Sequence, residues 1–184
     1  MFVWYQVQGR VSVMRCAHSC RDNEYAYVQV NGKTCWSKRL VASSGKQTCG
    51  QKHGNWHEER IPVKCTGDVT GNGQFKVRVY TTLNSGATDE SFGIDNAVVK
   101  QLTSTGGGGM KTITANFQNT KDQQGWNCGK ITNCGSFGNI CGGYNVKGKS
   151  HDIQKTFKGL SAGKYQIALD FIKIDSWFVE DRVT

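Results

Sequence analysis

One proline in 184 residues leaves no room for proline-rich linkers or collagen-like repeats, although glycine is plentiful at 23. No apolar run approaches the roughly 18 residues that cross a bilayer as a helix, so membrane insertion is not expected. No stretch of about a dozen residues carries a helical stripe of apolar positions. The triplet Asn-x-Ser/Thr is absent, so N-glycosylation at that signal is not expected. His-Glu-x-x-His is absent. Gly159-Leu160-Ser161-Ala162-Gly163 and Gly143 through Ser150 carry the letters of Gly-x-Ser-x-Gly and of a phosphate loop, but no helical stripe follows either one. The strand–turn–helix setting both motifs need is therefore not there. Adjacent acids such as Glu58-Glu59 or Asp89-Glu90 point to opposite faces of a strand and make a poor glycosidase pair. The expectation is a protein that is not an enzyme.

What the chain does have is hydrophobic content and positive charge. With 37% hydrophobic and 10% aromatic residues it is not disordered. Lysine and arginine number 23 against 14 acids, a formal charge of +9. That excess is spread evenly, +5 over residues 1–105 and +4 over residues 106–184. With no basic arm or tail, a nucleic-acid partner is not expected. A generally cationic surface instead favours acidic partners, an acidic polysaccharide among them.

The eight cysteines are Cys16, Cys20, Cys35, Cys49, Cys65, Cys128, Cys134 and Cys141. An even count without paired Cys-x-x-Cys spacing favours disulfides and an extracellular or cell-surface setting. Cys16 and Cys20 with His53 and His57 are spaced too far apart for an ordinary Cys₂His₂ zinc site. The opening Met1-Phe2-Val3-Trp4-Tyr5-Gln6 has neither a cationic start nor a long apolar stretch. It is the start expected of a mature or excised segment of something longer.

Short alternating runs predict strands. Tyr25 to Val30 alternates and meets Asn31-Gly32, a hairpin dipeptide, with Thr34-Cys35-Trp36-Ser37 as the partner strand. Phe75 to Tyr80 alternates apolar and basic residues. Further strands are expected at 9–15, 59–65, 94–100, 111–117, 153–157 and 164–172. Many short strands with glycine-rich turns predict an all-β antiparallel sandwich or jelly roll, reinforced by disulfides. Residues 103–109, Thr-Ser-Thr-Gly-Gly-Gly-Gly, read as a linker between segments 1–102 and 110–184.

Several local motifs resemble a repeat module of large extracellular and surface proteins of ciliated protists. The module's N-terminal half corresponds to Gly125-Trp126, Cys134-Gly135, Gly142-Gly143-Tyr144-Asn145 and Asp175-Ser176-Trp177-Phe178-Val179-Glu180. Its C-terminal half corresponds to Glu24 through Ser37, Cys49-Gly50-Gln51, Trp56-His57-Glu58 and Asp89-Glu90-Ser91-Phe92-Gly93. Phe92 to Asn96 also resembles the last strand of galactose-binding jelly rolls. The halves stand in permuted order, and Val11–Glu24 aligns with Ile167–Glu180 at an offset of 156 residues. Either the chain spans the end of one module and the start of the next, or it is a permuted subunit.

The resemblance implies a structural module that self-associates head-to-tail with copies of itself or with neighbouring repeats. The alternative is a calcium-dependent carbohydrate-binding module. Asp89, Glu90, Asp95, Asp175 and Glu180 are the expected Ca²⁺ ligands, since calcium takes about six to eight oxygens that sandwich loops supply. The same acids also serve as turn caps or partners for the many cations. The complementary Cys-Gly motifs imply a Cys49–Cys134 bridge, with Cys128–Cys141, Cys35–Cys65 and Cys16–Cys20 as the remaining expectation, although sequence leaves connectivity open. Most aromatics belong in a sandwich core. Trp56 and Tyr144, in glycine-rich surroundings, are the expected sugar-stacking residues.

Overall fold

The computed structural model describes residues 24–103 and 110–177. The expected antiparallel all-β sandwich is what the chain forms. Among the described residues, ten strands make two sheets: β1 (Tyr25–Val30), β2 (Lys33–Arg39), β3 (Glu59–Val69), β4 (Phe75–Thr81), β5 (Glu90–Gln101), β6 (Thr112–Ala115), β7 (Ile131–Asn133), β8 (Asn139–Gly142), β9 (Asp152–Phe157) and β10 (Gly163–Asp175). One sheet runs β2-β1-β4-β9 and the other β3-β10-β5-β8-β7, with β6 also paired to β5. All pairings are antiparallel. The strand expected at 9–15 lies outside the described residues.

Alternation decides which face each strand buries. On β1, Ala26, Val28 and Val30 are buried between half-buried Tyr25, Tyr27 and Gln29. Val77 and Val79 of β4 do the same beside exposed Lys76. Opposite them stand Ile61, Val63 and Cys65 of β3 and Ile167, Leu169 and Phe171 of β10. Each such buried side chain stabilises the fold by about 1.5–3 kcal/mol. Aromatic rings fill the middle: Phe92 stacks on Phe171 at 5.8 Å, and Trp177 meets Phe171 edge-on at 5.7 Å. Trp126 and Trp177 are core residues, and Trp36 packs against Phe171. Trp4 and Tyr5 lie outside the described residues.

The Asn31-Gly32 turn takes positive φ at both residues, 49° and 80°, which is the twist a two-residue hairpin needs. The sole proline, Pro62, is exposed on β3, an edge strand, the kind of position where a residue without an N–H is tolerated. Strands β7 and β8 were not anticipated. They are three and four residues long, too short to show alternation.

Segments on either side of the glycine run interleave. β9 adds to β4, and β10 lies between β3 and β5. β10 pairs with β3 from Gly163 to Lys173 and with β5 from Tyr165 to Asp175. Thr103 is tied to Lys164, whose backbone N–H donates to Thr103 Oγ1 at 3.0 Å. Residues 104–109 lie outside the described residues.

Disulfides join Cys35 to Cys65, Cys49 to Cys134 and Cys128 to Cys141. The first links β2 to β3 and so ties the two sheets together. The second ties the β2–β3 loop to the segment beyond the glycine run, and the third pins β8 to the approach to β7. Cys16 and Cys20 lie outside the described residues.

Candidate functional site

The sandwich has two ends. At one, the glycine-run end, β3 and β5 finish and β6 and β10 begin. At the other, β3 and β5 begin and β10 ends, and the long β2–β3 loop folds over the sheet edges. His57 N donates to Ala42 O at 3.0 Å, and Lys46 and Glu58 exchange both backbone hydrogen bonds at 3.0 Å, so the loop closes on itself. The Cys49–Cys134 bridge fixes its tip to the rest of the fold.

Under this loop lie four buried charged side chains: Glu58, Glu90, Lys173 and Asp175. Asp175 ends β10 with φ at 68°. Its Oδ1 accepts from Gln51 N at 2.6 Å. Glu58 turns its Oε2 to the backbone N–H groups of Thr48 and Cys49, the latter at 2.9 Å. Between the two carboxylates runs Gly50, and only glycine fits there. A Cβ would collide with Asp175 Oδ1 and come within 2.7 Å of Glu58 Oε1. Glu58 Oε1 and Asp175 Oδ2 are both buried and have no hydrogen-bond partner among the described residues.

Burial pushes the Asp175 carboxyl up to about 7, with Glu58 and Asp89 adding to the rise and the Gln51 N–H opposing it. Burial pulls the Lys173 amine down to about 8, against the pull of Glu59, Glu58 and Asp175. Lys173 Nζ donates to two carbonyls, Ala42 O at 2.9 Å and His57 O at 2.5 Å, and to neither buried carboxylate. It anchors the loop.

Motifs far apart in the chain interlock at this end. Ser176 Oγ donates to Asp89 Oδ1 at 2.6 Å, and Trp177 Nε1 donates to Ser91 O at 2.8 Å. Glu90 Oε2 accepts from Asn84 N at 3.1 Å and Ser85 N at 2.8 Å, capping its own turn. Asp175-Ser176-Trp177 therefore engages Gln51, Asp89 and Ser91 in turn. Gln51 Nε2 then reaches Thr88 O at 2.6 Å and the Tyr144 hydroxyl at 3.3 Å.

The five acids expected to hold calcium do not all come together. Asp175 and Asp89 are neighbours, and Glu90 is spent on its turn. Asp95 sits in mid-strand, its Oδ2 3.6 Å from Arg60, which also pairs with Asp170 at 3.4 Å. Burial raises the Asp95 carboxyl, with the Asn96 backbone N–H and Arg60 pulling it back. Glu180 lies outside the described residues. Among the described residues, no group of three or more His, Cys, Asp or Glu side chains is arranged to hold a metal. Trp56 is half-buried and packs on His53 at 4.2 Å, and Tyr144 is half-buried against the small cluster around Ile140 and Ile172.

Sequence reasoning missed Glu58 and Lys173 as parts of the site. Lys173 had a signal: it continues the inward series 165, 167, 169, 171 of β10. Glu58 gave none of that kind, because it precedes β3 and its inward turn comes from the loop.

The opposite end holds a groove of about 660 Å³ between the β1–β2 and β3–β4 turns. Lys33, Lys76, Asn31, Thr34, Asn72 and Asp68 are among its lining residues, so it is polar with a small cationic excess.

No protein-family model matches the chain, and no curated protein matches it at a significant level. No helix among the described residues is long and apolar enough to cross a membrane.

Proposed function

We propose that this chain is a non-enzymatic structural module of an extracellular or cell-surface array, joined head-to-tail to copies of itself. The observation that carries the reading is the placement of β10. This strand comes from beyond the glycine run, yet it fills the gap between β3 and β5 and closes two strand edges at once. The 110–177 segment of a neighbouring copy would make the same hydrogen bonds, so exchange across the 103–109 connection costs little beyond ordering. Such an exchange is heterologous and propagates unless its rotation closes into a ring. It would also set Cys49 of one copy against Cys134 of the next, locking the joint covalently. Three disulfides in the described residues support an oxidising compartment.

Negative-stain microscopy and a non-reducing gel of concentrated protein test this together. Periodic fibres with a disulfide-linked ladder that collapses on reduction are the expected result. Protein that stays monomeric at high concentration, with Cys49–Cys134 formed only within chains, would overturn it.

A second reading, calcium-dependent carbohydrate binding, is favoured by the chain of contacts from Asp175 through Gln51 to the Tyr144 hydroxyl. Trp56 on the same loop offers an aromatic face, and the cationic groove at the far end suits an acidic polysaccharide. Selective, calcium-dependent binding on a glycan array is its test.

A further inference from the structure

Two carboxylates cannot be buried side by side without something to balance them. A charge taken out of water costs several kcal/mol unless it is paired and hydrogen-bonded. Glu58 and Asp175 are both 0% exposed, and each has one oxygen held by backbone N–H groups. The other oxygen of each, Glu58 Oε1 and Asp175 Oδ2, is buried and without a partner among the described residues. The nearest buried cation, Lys173, directs its amine to the carbonyls of Ala42 and His57 instead. Asp89 adds a third negative group close by, its Oδ1 already taking the Ser176 hydroxyl.

The geometry points to Glu58 and Asp175 as the protein ligands of one hard divalent cation of the Ca²⁺ class, seated beneath the β2–β3 loop. The donor set is all oxygen, which selects calcium over zinc or copper. Two carboxylates fall short of a calcium shell, so backbone carbonyls and water would complete it. Gly50 is what allows the approach, because any side chain there would enter the space between the two carboxylates. The cation would bridge the loop that follows β2 to the end of β10, clamping together chain positions 117 residues apart. It deepens the calcium reading above and stands apart from sugar recognition. A blank glycan array leaves it intact, and a blank calcium titration removes the cation without touching the head-to-tail joint.

Three measurements on the intact chain test it. Elemental analysis of protein purified without chelator should find about one calcium per chain. Stripped protein should then bind Ca²⁺ at one saturable site, with a rise in melting temperature, and Tb³⁺ should bind competitively with luminescence sensitised by Trp177. Glu58→Gln and Asp175→Asn should each weaken Ca²⁺ affinity at least 100-fold. Asp95→Asn, whose parent carboxylate already faces Arg60, should leave the affinity unchanged. In the stripped state Asp175→Asn should melt no lower than the wild type, since it removes a like charge, and this separates lost binding from lost folding. The inference is overturned by wild-type protein that carries no calcium and shows no saturable Ca²⁺ or Tb³⁺ binding. Wild-type affinity in both carboxylate variants, or loss of binding in Asp95→Asn alone, overturns it equally.

Discussion

At the loop-covered end of the sandwich the charged side chains are inside, while at the glycine-run end they are outside. Glu58, Glu90, Lys173 and Asp175 are buried at the first. At the second the buried set is Val30, Val69, Phe75, Phe157, Leu160 and Tyr165, and Lys33, Asp68 and Lys76 face water. The same sheets supply both ends, so the contrast comes from what covers them. A two-residue turn leaves the strand ends to cap one another. A long loop tied down by a disulfide encloses whatever the strand ends carry, charges included. Enclosed charges are costly unless matched, so the loop-covered end has a narrow set of tolerated conditions and the other end a broad one.

The largest effect expected from breaking this comparison is covalent. Replacing Cys49 and Cys134 by alanine opens a closure of 85 residues and should cost about 4–5 kcal/mol by chain entropy. Removing Cys35 and Cys65, a closure of 30, should cost about 3.5 kcal/mol. Urea unfolding of the two double variants reads the difference directly. Equal losses would mean the loop is held by something other than its bridge.

Acidity separates the ends next. Asp175 is raised to about 7 in the fold and sits near 4 when unfolded, so the folded state holds its proton more tightly. Its contribution to stability is therefore present at low pH and lost as pH rises from about 4 to about 7, a change on the order of 4 kcal/mol. Lys173, lowered to about 8 from near 10.4, makes the unfolded state the tighter proton binder, so stability rises again between about pH 8 and 10.4. Metal-stripped protein should accordingly show a dip in melting temperature between about pH 7 and 8. Calcium should fill that dip in, and Asp175→Asn should flatten its acidic side.

Glycine substitutions sharpen the contrast further. Gly50→Ala must displace the buried carboxylates and should cost about 2–3 kcal/mol, as overpacking does. Gly32→Ala meets no atom within 4 Å and pays only for its positive φ, about 1 kcal/mol. Thermal melts of the two variants rank them. The smallest stability effect belongs to Lys33→Glu with Lys76→Glu: within about 0.5 kcal/mol for exposed positions. The same pair should reduce retention on an acidic polysaccharide column at low salt if the groove holds one.

The sandwich itself was legible wherever strands were long enough to alternate. β1 and β4 carry their inward residues at every second position, and Asn31-Gly32 announced its own turn. β3, β5 and β10 run beyond the expected spans, because their extra residues are stabilised by neighbouring strands and by the covering loop. The candidate site was only half legible. Asp175 and Asp89 stood out as acids at strand ends, but nothing local could say that Asp175 faces Gly50 rather than Asp95. That juxtaposition depends on the 40–58 loop folding back, a long-range event. Asp95 misled for the opposite reason: it is a buried acid on a strand, but its charge is answered by Arg60 from the far side of β10.

β10 also bears on how the module would carry load. Backbone hydrogen bonds in antiparallel sheets run perpendicular to the strands. A tension entering at Trp177 and directed along β10 would strain the ladders to β3 and β5 together, in shear, rather than opening them one rung at a time. Eleven residue pairs on the β3 side and ten on the β5 side would share that force. Pulled crosswise from its edge, the same sheet would peel. A chain of such modules would then be strong along one axis and weak across it, like a rope.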